Sequence, residues 1–309
     1  MKRTILATAA TALAALALAA CGANNNPTAP AGGGGGATTG SGGASGSITV
    51  GSADFSESQV LGEIYAGALK AKGINVSTKP NIGSRDVYIK ALQDGSIDIV
   101  PEYTGSLLTF LKGKSDSNDP DAVYAALQKT LPPDFVVLNK STAEDKNSMV
   151  VTKDTAAKYS LKSIADLTAK QSEITVAAPP EFQSREQGLV GLKSQYGFTP
   201  ANFLPLKGAA VVNALLNNQA QAANIFSTDP SISTNGFVTL EDPKLLFGSD
   251  NVVPLMRKDK VNDTITAALN AVSAKIDTAT LTDLVKQVDV DKKDASAVAK
   301  DFLTKNGLA

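Results

Sequence analysis

The stretch Ile97-Asp98-Ile99-Val100-Pro101-Glu102-Tyr103-Thr104-Gly105 is an apolar run that stops in a proline, an acid, a phenol and a glycine. A strand that reads as buried and ends this way has three readings: a catalytic pair, a ligand pocket, or a tight turn with a solvated carboxylate. The neighbouring segments decide among them. Upstream, Ile48-Thr49-Val50 is a short apolar strand closed by Gly51-Ser52, and Ser56 with Gln59 has the spacing of a capping box. Val60, Leu61, Ile64, Ala68 and Leu69 then recur at helical spacing until Gly73 stops them. Ile74 to Thr78 reads as a second strand, Val87 to Leu92 as a helix, and Ile97 to Val100 as a third strand. This order predicts a parallel α/β layer with helices on its faces.

A second α/β region follows. Met149-Val150-Val151 reads as a strand, Ser163 caps a short helix through Leu167, and Glu173 to Ala177 is another strand. A helix from Glu186 to Tyr196 ends at Gly197, and a helix over Ala210 to Leu216 leads into the strand Ala222 to Phe226. The tail from Val261 to Leu308 is helical, with Ile265, Leu269 and Val272 on one face and Leu281, Leu284 and Val285 on the next. In open α/β sheets, ligands sit beyond the carboxyl ends of the strands. Three polar or aromatic clusters fall there: Ser52-Ala53-Asp54-Phe55, Glu102-Tyr103-Thr104-Gly105 and Ser227-Thr228-Asp229. Two belong to the first region and one to the second, so a cleft between two lobes is expected, with Tyr103 at its mouth. Glu102, next to Pro101, is expected to satisfy turn N–H groups rather than to catalyse.

The ends of the chain have a different character. Lys2 and Arg3 precede an apolar run from Ile5 to Ala20, the n-region and h-region of a signal peptide, shorter than the roughly 20 residues of a membrane span. Leu18-Ala19-Ala20-Cys21 has the form of a bacterial lipobox, in which Cys21 is lipidated and becomes the new N-terminus. Residues 24–47 are almost entirely Gly, Ala, Ser, Thr, Asn and Pro, which cannot bury enough apolar area to fold and read as a tether. The expected division is thus a signal peptide over 1–20 and a lipidated tether over 21–47. The lipid on Cys21 is expected to hold the folded part at the outer face of the cell membrane.

Composition narrows the chemistry. The chain has no His and no Trp, and its one Cys is the lipobox residue. Without His there is no Ser-His-Asp or Cys-His nucleophile system and no His metal site. Of the 29 basic residues two lie in the signal peptide, leaving 27 against 30 acidic ones, with no basic stripe for nucleic acid. Asp116-Ser117-Asn118-Asp119-Pro120-Asp121 starts like a calcium loop but lacks Gly at its sixth position and Glu at its twelfth, so it reads as a solvated loop. Paired carboxylates could still serve a glycosidase, but a cleft without Trp disfavours one.

GSADFSESQVLGEIYAGAL, ALQDGSIDIVPEYTGSLL, EFQSREQGLVGLKSQYG, IFSTD and VAKDFLTKNGLA, in this order from Ile48 to Leu308, resemble the osmoprotectant (glycine betaine, choline, carnitine) substrate-binding proteins of ABC transporters. The resemblance implies a type II periplasmic-binding-protein fold: two α/β lobes joined by a two-stranded hinge, with the ligand clamped between them. Lobe I would span 48–144 plus 254–309 and lobe II 145–253. The family's pocket is a cage of aromatic rings around a quaternary ammonium, with donors to a carboxylate. By position, Tyr103 matches one ring, Phe226 another without its hydroxyl, Ser106 a donor often supplied by Thr, and Arg185 the clamp on a ligand carboxylate. Asp54, Phe55 and Thr228 complete the expected ligand-binding set. Asn147 and Asp250 stand where many members carry Tyr, so the cage is incomplete. Asn147 is expected to hydrogen-bond in the pocket, while Asp250 reads equally as pocket lining or as a carboxylate in water.

The implied partners are a small solute, the transmembrane subunits of an ABC permease, and the membrane through Cys21. The chain is expected to be monomeric, with no cofactor, no nucleic acid and no catalysis. A different polar or aromatic polyhydroxy solute in the same fold is the first alternative. A carboxylate-based cleft hydrolase and a surface adhesin lipoprotein are more distant ones.

Overall fold

A computed structural model describes residues 47–309. The expected signal peptide, Cys21 and all but the last residue of the tether lie outside the described residues.

Two five-stranded sheets form the frame. The first has the order β2-β1-β3-β10-β4, from β1 Ile48–Gly51, β2 Val76–Lys79, β3 Ile99–Tyr103, β4 Phe135–Val137 and β10 Val252–Arg257. The second has the order β7-β6-β8-β5-β9, from β5 Asn147–Val151, β6 Thr175–Ala178, β7 Asn202–Pro205, β8 Ala222–Phe226 and β9 Val238–Thr239. In each sheet three strands are parallel, as β-helix-β connections require. The fourth strand is antiparallel to its parallel neighbour and is the one reached by crossing from the other sheet: β10 beside β3, and β5 beside β8. Apolar clusters cover both faces of each sheet. This is why β3 is buried along its whole length. Helix α1, Ser56–Ala71, packs on the first sheet together with the three helices of the tail through Leu61, Leu69, Ile265, Leu281 and Phe302.

The quoted stretch folds as a strand two residues later than its apolar run suggests. β3 runs through Pro101 to Tyr103. Pro101 is tolerated because β1 pairs with β3 only at Val50↔Ile99, and opposite Pro101 on the other side stands Pro254, which also lacks an N–H. At its end, α3 (Thr104–Phe110) begins at once. Gly105 is required there, since a Cβ would lie 2.3 Å from the Ser249 carbonyl oxygen. That close approach lets the second crossing segment lie against the turn, with Thr104 N donating to Asn251 O at 3.0 Å.

The two crossing segments run side by side: Glu144 and Asn251 form an antiparallel bridge, and Asp145 N donates to Asp250 O at 3.0 Å. The expected boundary at residue 254 falls inside β10, because Val252 and Val253 already pair with Tyr103 and Glu102. Two local expectations are corrected. Ser56 does not cap α1: Phe55 occupies the N-cap position, and the Ser56 hydroxyl instead donates to Asp289 at 2.5 Å. The helix expected from Glu186 begins at Leu189, because Gly188 adopts a non-helical conformation in which a Cβ would strike the Phe182 carbonyl oxygen. Its continuation, Leu192–Tyr196, is π-helical and ends at Gly197 (φ 71°). In the acidic run, Asp119 is the N-cap of Pro120–Thr130, accepting from Asp121 N and Ala122 N.

Candidate ligand cleft between the two sheets

The ends of β1, β3 and β8 meet at one cavity of ≈ 640 Å³, so the three clusters expected beyond strand ends do converge. All eight residues of the expected ligand set line it: Asp54, Phe55, Tyr103, Ser106, Asn147, Arg185, Phe226 and Thr228. The volume falls in the roughly 300–1,000 Å³ range of small-molecule sites.

Three rings form one wall. Phe55 lies between Phe226 (centroids 5.4 Å apart) and Tyr103 (6.2 Å), both tilted. Phe226 comes from the second sheet, so the ring row spans the cleft. Two rings were expected from the family pattern, and Phe55 adds a third. Asn147 pairs with Phe226 across β5 and β8, is half-buried, and lines the cavity beside that ring.

Glu102 answers the question posed by the quoted stretch. It is fully buried, bound by Arg85 Nε and Nη2 at 2.8 and 2.9 Å, by Tyr88 Oη at 2.7 Å and by its neighbour Tyr103 N at 2.9 Å. Arg85 and Tyr88 come from α2, Arg85–Gln93. The acid is thus structural, as expected, but its partner is a buried guanidinium rather than only turn amides. The phenol beside it serves the cavity.

Tyr103 Oη donates to Glu57 Oε1 at 2.6 Å, and Thr228 Oγ1 donates to Glu57 Oε2 at 2.6 Å. The second bond crosses the cleft, as do the Ser106 Oγ to Gln187 Oε1 bond at 2.9 Å and the Lys207–Asp54 ion pair. Asp145 accepts from Thr228 N at 3.1 Å and from Ser227 Oγ at 3.3 Å. Asp250 is 1 % exposed and accepts from Ser106 N at 2.9 Å and from the Ser106 hydroxyl. Of its two readings the structure selects pocket lining. Arg185 is half-buried, and its nearest carboxylate is Glu181 at 4.0 Å.

Burial sets the electrostatics of the floor. It pushes Glu57 up to about 7, against the lowering effect of the Thr228 and Tyr103 hydroxyls. It raises Asp145 too, and the neighbouring Glu57 charge adds to the rise. Asp250 is pushed up to about 7 for the same first reason, despite the bonds from Ser106. Burial lowers Arg185, and Arg85 nearby lowers it further.

Residues 46–305 match the family model described as the substrate binding domain of ABC-type glycine betaine transport systems. The chain belongs to this family. Its members bind a small solute on the extracytoplasmic side and deliver it to permease subunits, and they are not enzymes. The carnitine transport binding protein OpuCC of Listeria monocytogenes is 29 % identical over 275 residues, spanning 86 % of this chain and 89 % of that protein. The glycine betaine-binding protein YehZ of Escherichia coli is 29 % identical over 280 residues, spanning 85 % and 92 %. A crystal structure of a glycine betaine/carnitine/choline ABC transporter component superposes with a TM-score of 0.67, at 24 % identity, over 84 % of this chain and 99 % of that one. The two-lobe fold expected from the sequence is therefore the fold of this chain.

Glu57, Asp145, Arg85 and Gln187 were not among the expected site residues. Glu57 had a sequence signal, since it lies two residues past the Ser52-Ala53-Asp54-Phe55 cluster, in the first turn of a helix. Asp145 had none, because only the crossing geometry brings it under Thr228.

Proposed function

We propose that this substrate-binding protein captures a small osmoprotectant-type solute with its cationic group against Phe55, Tyr103 and Phe226, and passes it to an ABC permease. The supporting observation is the ring row across a closed-in cavity whose floor is acidic. Cations are held by ring faces at roughly 0.5–2 kcal/mol per contact, and buried carboxylates add charge complementarity. Arg185, without a close ion pair, is the group available for a solute carboxylate. The eight cavity residues named from the sequence are the proposed contacts. A solute touching both lobes favours the closed arrangement by differential affinity, with the paired crossing segments as the hinge.

Calorimetry with glycine betaine, choline and carnitine tests this. At least one should bind, and at a hundredfold excess over its Kd should stabilise the protein by about 2.7 kcal/mol. Tyr103→Ala should weaken binding on the order of tenfold, through loss of one ring contact. Heatless titrations with all three solutes would count against the assignment.

The ring deficit has its own test. Asn147 is half-buried, stands opposite Phe226 and lines the cavity, so Asn147→Tyr should add a ring and tighten trimethylammonium binding by about 2- to 30-fold. Asp250→Tyr should not, because a fully buried position tied to Ser106 has no room for a ring.

We further propose that the chain is monomeric and is held at the outer face of the membrane by lipid on Cys21. Cys21→Ser should move the protein out of the membrane fraction or leave an uncleaved precursor. A correctly processed Cys21→Ser protein that still sediments with membranes would refute the anchor.

A further inference from the structure

We propose that the cleft is a proton-exchange site: Glu57 and Asp145 share a proton in the ligand-free protein, and the cationic group of an organic solute replaces it. The proposal rests on the solute-binding reading above and adds what the solute must displace.

The argument begins with geometry. Glu57 comes from the first turn of α1 and Asp145 from the first crossing segment, and they are 4 % and 3 % exposed. Thr228 sits between them, its N–H on Asp145 and its hydroxyl on Glu57. One residue thus bridges the two carboxyl groups, and the charge of Glu57 bears on Asp145. Two buried carboxyl groups bridged by one residue resist joint ionisation unless a counter-charge compensates them, which favours one proton held by the pair.

Among the described residues, no ion pair within 4.0 Å reaches Glu57, Asp145 or Asp250. Of the cations that line the cavity, Arg85 is held by Glu102, Lys207 by Asp54 and Lys292 by the Asp289 carbonyl, while Arg185, with Glu181 at 4.0 Å, makes no ion pair with Glu57 or Asp145. The other charges that act on the pair add to its negative field: Asp229 after β8 acts on Glu57, and Asp145 and Asp250 act on each other. Tyr103, the remaining titratable group in contact, stays a neutral donor, since burial and the Glu57 charge both raise it. The pair is not an isolated acidic cluster: it floors a ≈ 640 Å³ cavity walled by three rings, in a chain of a solute-binding family.

An arriving cation supplies the missing counter-charge. Both carboxylates then ionise, and the proton leaves to bulk buffer. Burial places the exchange close to neutral pH, with Glu57 at about 7. Affinity for a cation therefore rises with pH through this range, by at most about tenfold per pH unit for one proton released. A head group with N–H donors can also bond the freed oxygens, which a trimethylammonium cannot.

The test uses the full-length protein in detergent and choline as probe, a cation with no carboxylate. Titrations at one pH near 7 in phosphate and in Tris, which differ in protonation enthalpy, should give different apparent enthalpies whose slope reports release of up to one proton. Glu57→Gln and Asp145→Asn should each flatten that slope. Infrared spectroscopy of the ligand-free protein in an Asp250→Asn background, which removes the Asp250 contribution, should show a protonated-carboxyl band that Glu57→Gln and Asp145→Asn each weaken and that choline diminishes. Choline binding with equal enthalpies in the two buffers and a Kd flat from pH 6 to 8 would overturn the exchange while leaving solute binding intact. Absence of the infrared band in the Asp250→Asn background would overturn the shared proton whether or not choline binds. Failure of choline, glycine betaine and carnitine alike to bind would instead overturn the solute reading, and the exchange with it.

Discussion

Arg85→Ala should lower the folding free energy by about 3–5 kcal/mol, the cost of stranding a buried charge. Glu102 is 0 % exposed and its two oxygens take both nitrogens of one guanidinium fork, with Tyr88 Oη and Tyr103 N completing the shell. Removing the fork leaves a carboxylate that two neutral donors cannot compensate. Glu102→Gln alone strands the guanidinium instead, which is nearer the surface at 10 % side-chain exposure and loses less. The double variant Arg85→Leu with Glu102→Gln removes both charges and should recover much of the loss, because the pair stabilises mainly by mutual compensation. Urea midpoints for the two single variants and the double one close the cycle. A loss under 1 kcal/mol for Arg85→Ala would mean that water reaches Glu102. The effect extends to binding: Glu102 fixes the backbone of Tyr103 and the hydroxyl of Tyr88, so Arg85→Ala should also loosen the ring row.

The strand-end logic made most of this site legible. Ser52 to Phe55, Tyr103 and Ser227 to Asp229 each follow an apolar run, and the rule that ligands lie beyond such ends brings them to one cleft from the sequence alone. The tail helices were visible because their apolar residues keep a 3.6-residue period. Three things were not visible. Local spacing suggested Ser56 as a cap, but a tertiary partner, Asp289 on a distant helix, took its hydroxyl. The helix start at Glu186 failed because Gly188 is needed for a close backbone approach that no periodicity reports. The chemistry of Asp145 and Asp250 depends on two crossing segments running side by side, a contact between residues more than a hundred positions apart in sequence. Single-sequence patterns carry faces and ends well. They carry little about which distant segments touch.

Asp250→Asn should make the ligand-free protein more stable at pH 8 and leave it nearly unchanged at pH 4. Burial raises Asp250 from an ordinary value of 3.8 to about 7, so the folded state holds this proton more tightly than the unfolded chain. Below 3.8 both states are protonated and the group is neutral bookkeeping. Between 3.8 and about 7 the unfolded chain loses the proton first, so stability falls as pH rises, and above about 7 the full cost of the buried charge is present. At roughly 1.36 kcal/mol for each factor of ten in proton affinity, that cost is on the order of 4 kcal/mol. Asparagine avoids it while keeping the local bonds. Its carbonyl oxygen can accept from Ser106 N, the role Oδ1 plays at 2.9 Å, and the Ser106 hydroxyl retains Gln187 Oε1 at 2.9 Å. Glu57 is raised in the same direction, so the variant should still lose stability across this window, only less steeply than wild type. Chemical unfolding of both proteins at pH 4, 6 and 8 isolates the Asp250 contribution as their difference. A variant less stable than wild type at pH 8 would mean that Asp250 is compensated there, with Arg85, whose charge acts on it, as the first group to remove in a second round.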